Sequence, residues 1–113
     1  MPHLVIEYSE GSLKEDQVAE LMERLFVAAG QTGVMQPPDI KVRAQGYRHF
    51  LIAGKRDSFV HLSVYMLAGR TPEQKVMLST ELRRTMVELC PDVTSLSVDI
   101  RDMDPDAYKK RLK

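Results

Sequence analysis

The chain has 113 residues, the size of one ordinary domain, and that length can bury a core without disulfides or metal. Sixteen basic residues balance sixteen acidic ones, so no global field draws nucleic acid or an anionic membrane; the 43% hydrophobic content is ordinary. Cys90 is the only cysteine, no apolar run nears the roughly 20 residues of a membrane span, and the start lacks signal-peptide features, so the expectation is a cytoplasmic protein without an intrachain disulfide.

Residues 3–8 are short, apolar and β-branched, and read as a strand. Leu4, Ile6 and Tyr8 share one face, with His3, Val5 and Glu7 on the other. Ser12 and Glu15 have the spacing of a capping box. Val18, Leu21, Met22, Leu25, Ala28 and Ala29 then recur at helical spacing, and Gly30 and Gly33 end the helix. Pro37 and Pro38 cannot continue it, so a strand is expected around Asp39 to Gln45. Residues 46–57 read as a short strand or excursion closing in a turn. From Phe59 to Leu67 the pattern is a strand, with Val60, Leu62 and Val64 alternating against His61, Ser63 and Tyr65.

Thr71-Pro72-Glu73-Gln74 is a full helix start, with Thr as cap, Pro in the first helical position and Gln closing the box. Leu78, Leu82, Met86 and Leu89 form its buried stripe, which stops before Pro91. Thr94 to Arg101 alternates through Leu96, Val98 and Ile100 as a last strand. Asp104-Pro105 opens a short polar helical tail to Lys113.

The order strand, helix, strand therefore occurs twice. A shift of 58 residues places Gly11-Ser12 on Gly69-Arg70, Glu15 on Glu73 and Val18 on Val76. The repeat halves are about residues 2–45 and 59–104 of one domain spanning 1–113. Two such units predict an α+β fold, a four-stranded mixed sheet with both helices on one face. The other face then needs cover, and its apolar residues argue for an oligomer. A ferredoxin-like sandwich with an ordinary binding role fits the same pattern.

Two stretches carry a family resemblance. Met1-Pro2-His3-Leu4-Val5-Ile6-Glu7-Tyr8-Ser9 resembles the start of 5-carboxymethyl-2-hydroxymuconate isomerases, in which Pro-His begins the mature chain. The run Ala68-Gly69-Arg70-Thr71-Pro72-Glu73-Gln74-Lys75 is similar both to these isomerases and to the opening of the smaller 4-oxalocrotonate tautomerases. The resemblance implies the tautomerase fold, a homotrimer, and cofactor-free keto–enol tautomerisation of a carboxylated dienol from aromatic ring cleavage, as in homoprotocatechuate breakdown. It also implies Pro2 as the base once Met1 is removed, and Arg70 near the terminal proline of a neighbouring subunit. Lys41 stands where family members carry a substrate-binding arginine, and Arg43, two residues on, shares its strand face. That departure points to a different substrate or to Arg43 taking the role. The rivals are a tautomerase homologue with another substrate and an inactive trimeric binding or structural protein.

The residue chemistry suits this reading. A proton shuttle works best with a pKa near the working pH, and an α-amine titrates at roughly 7.7–8.0. Burial and neighbouring cations lower it further. Arginine matches a carboxylate with its two-pronged fork, and the helix start at Thr71-Pro72 adds free N–H groups. Plainer roles exist for each: Arg70 as a turn residue paired with Glu73, Lys41 and Arg43 as solvent-facing strand charges. His3, His49 and His61 form no metal set, with His61 read as a hydrogen-bonded interior or interface side chain. Cys90 reads as packing, Gly30 and Gly33 follow a helix where a phosphate loop would precede one, and Lys109-Lys110-Arg111 with Lys113 reads as a solvated helix end.

Overall fold

Alternating apolar residues decide the centre of the sheet. Strand β1 (His3–Ser9) buries Leu4 and Ile6 completely, and β3 (Phe59–Leu67) does the same to Val60, Leu62, Val64 and Met66. The computed structural model, which describes residues 1–113, pairs these strands antiparallel, with Leu4 opposite Val64 and Ile6 opposite Leu62. β2 (Lys41–Tyr47) runs parallel to β1, and β4 (Ser95–Met103) runs parallel to β3, giving the order β2-β1-β3-β4. Helices α1 (Glu15–Gln31) and α2 (Pro72–Leu89) connect the parallel pairs and cover one face together. This is the arrangement anticipated above, two β-α-β units in one four-stranded mixed sheet with both helices on one face.

The helices bury Leu21, Leu25 and Ala29 from α1 and Leu78, Leu82 and Met86 from α2. A 58-residue shift superposes the buried strand residues Leu4 and Ile6 on Leu62 and Val64, but the helix stripes superpose at 57. That one-residue slip explains why Val18 is buried while Val76 is 63% exposed. Cys90 closes the core at the end of α2, and burial pushes its thiol pKa up, as packing requires and nucleophilic chemistry does not.

Several local expectations are corrected. Ser12 does not cap α1: its hydroxyl donates to the Ser9 carbonyl at 2.6 Å. The helix starts three residues later at Glu15, where Gln17 Oε1 accepts from the Lys14 backbone N–H at 2.8 Å. A lysine side chain has nothing to accept with, so only this half of a capping box exists. Gly30 stays helical. A Cβ there would come within 3.0 Å of Pro37 Cγ, so the glycine admits the proline ring, and the stop falls at Gly33, with φ of 75°. Pro37–Asp39 form a 3-10 turn, which delays β2 to Lys41. At α2 the expected box is complete: Gln74 N–H donates to Thr71 Oγ1 at 3.2 Å, and Thr71 N–H to Gln74 Oε1 at 2.9 Å.

The tail is not a helix. After Met103 a single turn forms, with Ala107 and Tyr108 N–H both donating to the Asp104 carbonyl at 3.1 and 3.0 Å. So short a segment, with no apolar stripe to bury, cannot offset helix nucleation.

The uncovered face of the sheet also differs from its description in sequence. By strand alternation it presents His3 and Glu7, Lys41, Arg43 and Gln45, His61 and Ser63, and Ser97, Asp99 and Arg101, around Val5, Tyr47, Phe59 and Tyr65. Most of these are polar. His61 belongs here, with Nδ1 at 2.6 Å from Ser97 Oγ.

Leu62→Ala should lower unfolding free energy by about 2–5 kcal/mol in urea titrations, because it opens a cavity under the central strand. Val76→Ala, at an exposed helix position, should stay within about 0.5 kcal/mol. Equal losses would show that the core is not where the burial pattern puts it.

Candidate functional site at the amino terminus

Strand direction gathers distant residues at one end of the sheet. Because β1 and β3 are antiparallel, His3 pairs with Tyr65, and the chain start lies beside the exit of β3. Because β2 is parallel to β1, its first residue Lys41 pairs with His3, and the Lys41 backbone N–H donates to the Pro2 carbonyl at 3.0 Å. β4 is parallel to β3, so it leaves the sheet at this end too, where Ala68 N–H donates to the Met103 carbonyl at 3.1 Å. The starts of β1 and β2 and the ends of β3 and β4 thus meet.

Pro2 is buried and Met1 is half-buried. In the sequence as it stands, Met1 acylates the Pro2 nitrogen, which has no basicity until that residue is removed. The amine at the chain start is held below the ordinary α-amine range, chiefly by burial. Asp39 opposes this, while Lys110, Arg70 and Lys41 add to it. Three cations and one carboxylate therefore act on the Met1 amine.

Arg70 sits in the β3–α2 turn, just after Gly69, whose φ of 131° is one that side-chain-bearing residues rarely adopt. Its guanidinium donates from Nε and Nη2 to the Val34 carbonyl at 3.3 and 3.1 Å, and from Nη1 to the Leu67 carbonyl at 3.1 Å. These bonds pin the loop after α1 to the end of β3. An arginine has five N–H donors, so two remain for a ligand. Its partners are carbonyls and not Glu73, contrary to the plain reading of a solvated ion pair. Within the chain its charge also acts on the Met1 amine.

Lys41 is half-buried and Arg43 exposed, on the same uncovered face as His3. Only Lys41 acts on the terminal amine. Arg43 instead donates from Nη1 to His3 Nδ1 at 3.1 Å, and His3 Nε2 lies 2.9 Å from Tyr108 Oη. Burial, then Arg43 and Lys41, lowers the His3 pKa and keeps the ring neutral. Of the expected set, the fold brings Pro2, Lys41 and Arg70 together and places Arg43 one step away, through His3.

Asp39, Lys110, His3 and Tyr108 also belong to this neighbourhood; read from sequence, the first three have other roles and Tyr108 has none assigned. Asp39 could have been suspected from its position just before β2. Nothing local in the tail signals that Tyr108 reaches His3, a contact between residues 105 apart.

Three surface grooves lie elsewhere. One of about 420 Å³ runs between the outer sides of α1 and α2, past Arg24, Met77 and Glu88. Others, of about 270 and 360 Å³, lie against β4 and beside Arg48, His49 and Arg56. None includes Pro2, Lys41 or Arg70.

Comparison with known proteins agrees with this architecture. A structure of Pt0534 inactivated by 2-oxo-3-pentynoate is 23% identical, with a TM-score of 0.87, covering 96% of this chain and 91% of that one. A 5-carboxymethyl-2-hydroxymuconate isomerase from Deinococcus radiodurans R1 is 24% identical, with a TM-score of 0.84, covering 99% and 90%. A fused 4-OT solved as a symmetric trimer is 19% identical, with a TM-score of 0.82, covering 92% and 88%. At such identities these likenesses speak for the fold. No curated protein matches the chain in sequence. The family profile is broader in reach: that of 5-carboxymethyl-2-hydroxymuconate isomerase matches residues 2–111, nearly the whole chain, and the protein therefore belongs to that family.

Proposed function

We propose that the protein is a cofactor-free isomerase that ketonises 5-carboxymethyl-2-hydroxymuconate or a similar carboxylated dienol, with the Pro2 nitrogen as base after Met1 is removed. The observation that carries this reading is the convergence of Pro2, Lys41 and Arg70 at one end of the sheet, where burial and the two cations also lower the pKa of the Met1 amine one residue ahead of Pro2. Membership of the isomerase family supports it. The homotrimer is part of the same proposal, supported by the fused 4-OT trimers that share the fold.

In this mechanism the neutral proline amine removes the enol proton, which converts the hydroxyl into a dienolate oxygen. The protonated amine then returns that proton to carbon, leaving a ketone and a free base. The intermediate carries more negative charge on oxygen than the substrate does. Fixed cations that are already oriented stabilise it without reorganisation. In this reading the two free N–H groups of Arg70 and the ammonium of Lys41 serve this end and hold the substrate carboxylates. Lys41 lacks the planar fork of an arginine, so it holds a carboxylate as a point charge. Arg43 shares the uncovered face and assists from there.

A tautomerase with another substrate is the second reading, and Lys41 in place of an arginine favours it. An inactive binding or structural protein is the third, favoured by the use of three Arg70 donors on backbone carbonyls.

Protein whose intact mass shows Met1 absent should ketonise 2-hydroxymuconate or phenylenolpyruvate, and a preparation that retains Met1 should not. Pro2→Ala should lose about 100-fold or more in kcat/KM with its oligomeric state unchanged. Full turnover by either the Met1-retaining protein or Pro2→Ala would remove the proline from the mechanism.

Arg70→Ala should lower kcat/KM by about 100-fold or more. It should also destabilise the fold by about 1–3 kcal/mol, because the Val34 and Leu67 carbonyls lose their donors. Loss of stability with unchanged kinetics would leave Arg70 a purely structural role.

A further inference from the structure

The ten residues after β4 are exposed with one exception, Tyr108, which is half-buried. The turn that places it is closed by the Asp104 carbonyl and by Asp104 Oδ1, which accepts from Asp106 N–H at 2.9 Å. Tyr108 lies edge-on to the His3 ring, with centroids 5.8 Å apart and planes at 75°. Its hydroxyl is 2.9 Å from His3 Nε2. Arg43 can only donate, so its bond to His3 Nδ1 fixes that nitrogen as acceptor. The neutral ring therefore carries its proton on Nε2 and donates it to Tyr108 Oη, whose own O–H remains free. His3 is adjacent to Pro2 in sequence, so whatever holds His3 sits beside the terminal nitrogen.

Resting on the isomerase reading above, we propose that Tyr108 is a positioning residue that latches the C-terminal segment onto His3, so that this segment forms one wall of the active site and presents Lys110 as a further cation for the substrate carboxylates.

Lys110 lies two residues beyond the latch, is exposed, and takes part in no ion pair. Its charge reaches the Met1 amine, one residue ahead of Pro2, and Asp39 is the only acid that acts there. The groups facing that amine are thus Asp39 before β2, Lys41 on β2, Arg70 in the β3–α2 turn and Lys110 on the tail. A dicarboxylated dienol brings at least two negative charges, and Arg70 and Lys41 with Lys110 supply three positive ones. The latch is also sensitive to acid. A protonated His3 has no lone pair at Nδ1 for Arg43 and brings a second positive charge against it.

The test uses Met1-free protein and two enols, 2-hydroxymuconate with two carboxylates and phenylenolpyruvate with one. Lys110→Ala should raise KM for 2-hydroxymuconate by about threefold or more, with a smaller change for phenylenolpyruvate. It should also move the acid limb of the kcat/KM–pH profile upward, since removing a cation favours the protonated amine. Tyr108→Phe keeps the ring and removes the hydroxyl. It should reproduce the KM change with an unaltered Tm, and in NMR its His3 imidazole should titrate differently from that of the parent. Lys113→Ala, beyond the latch, serves as the control that changes neither quantity.

If Lys110→Ala and Tyr108→Phe match the parent in KM and acid limb while Pro2→Ala loses turnover, the tail proposal is overturned and the isomerase reading stands. If the Met1-free parent ketonises neither enol, the isomerase reading fails, and Lys110's proposed role fails with it. The latch is then decided by NMR alone: identical His3 titration curves in the parent and Tyr108→Phe would overturn it.

Discussion

The antiparallel pairing of β1 with β3 is the constraint on which the rest depends. It sets Leu4 against Val64 and Ile6 against Leu62, so the two most buried strands share one core face. Each strand is joined through a helix to a parallel neighbour on its outer side, so the two β-α-β units meet at this pair. Pairing in the same direction would have put the amino terminus and the β3–α2 turn at opposite ends of the sheet. Antiparallel pairing sets them side by side, and a slip of one residue would turn Leu4 and Ile6 to the uncovered face.

The electrostatics follow from that geometry. The chain is neutral overall, yet the cations near its start outnumber the acids. Burial and those cations act in the same direction on the Met1 amine, favouring its neutral form. In the proposed isomerase the same cations would meet an anionic substrate, so one arrangement would serve both binding and basicity. Arg70 also ties the loop at Val34 to Leu67, and these bonds hold its guanidinium in one orientation. Such preorganisation is what distinguishes a fixed charge from a flexible surface one.

Much of this was legible in the sequence. The alternation in Phe59–Leu67 and the Thr71-Pro72-Glu73-Gln74 signal matched β3 and the start of α2 to the residue, because each rests on local chemistry. Ser12 misled because its hydroxyl found a nearer acceptor, the Ser9 carbonyl, and Gly30 misled because its purpose is contact with Pro37. Pro2, Lys41, Arg43 and Arg70 came into view through family resemblance, and strand direction explains why three of them meet. The tail was misread as a helix because its fixed point, Tyr108 on His3, is a tertiary contact that leaves no periodic trace. The uncovered sheet face was read as more apolar than it is, since Val5 and the aromatic residues stand out in a sequence more than the charges between them.

The proposed isomerase requires the fold to hold the Pro2 nitrogen in its neutral, basic form once Met1 is gone. The most direct measurement is a 15N NMR titration of Pro2 in protein confirmed by mass to lack Met1. A midpoint clearly below the roughly 8 of an unperturbed α-amine, rising when Arg70 or Lys41 is neutralised, is the result this account predicts. A midpoint at or above that value, indifferent to both substitutions, would contradict it.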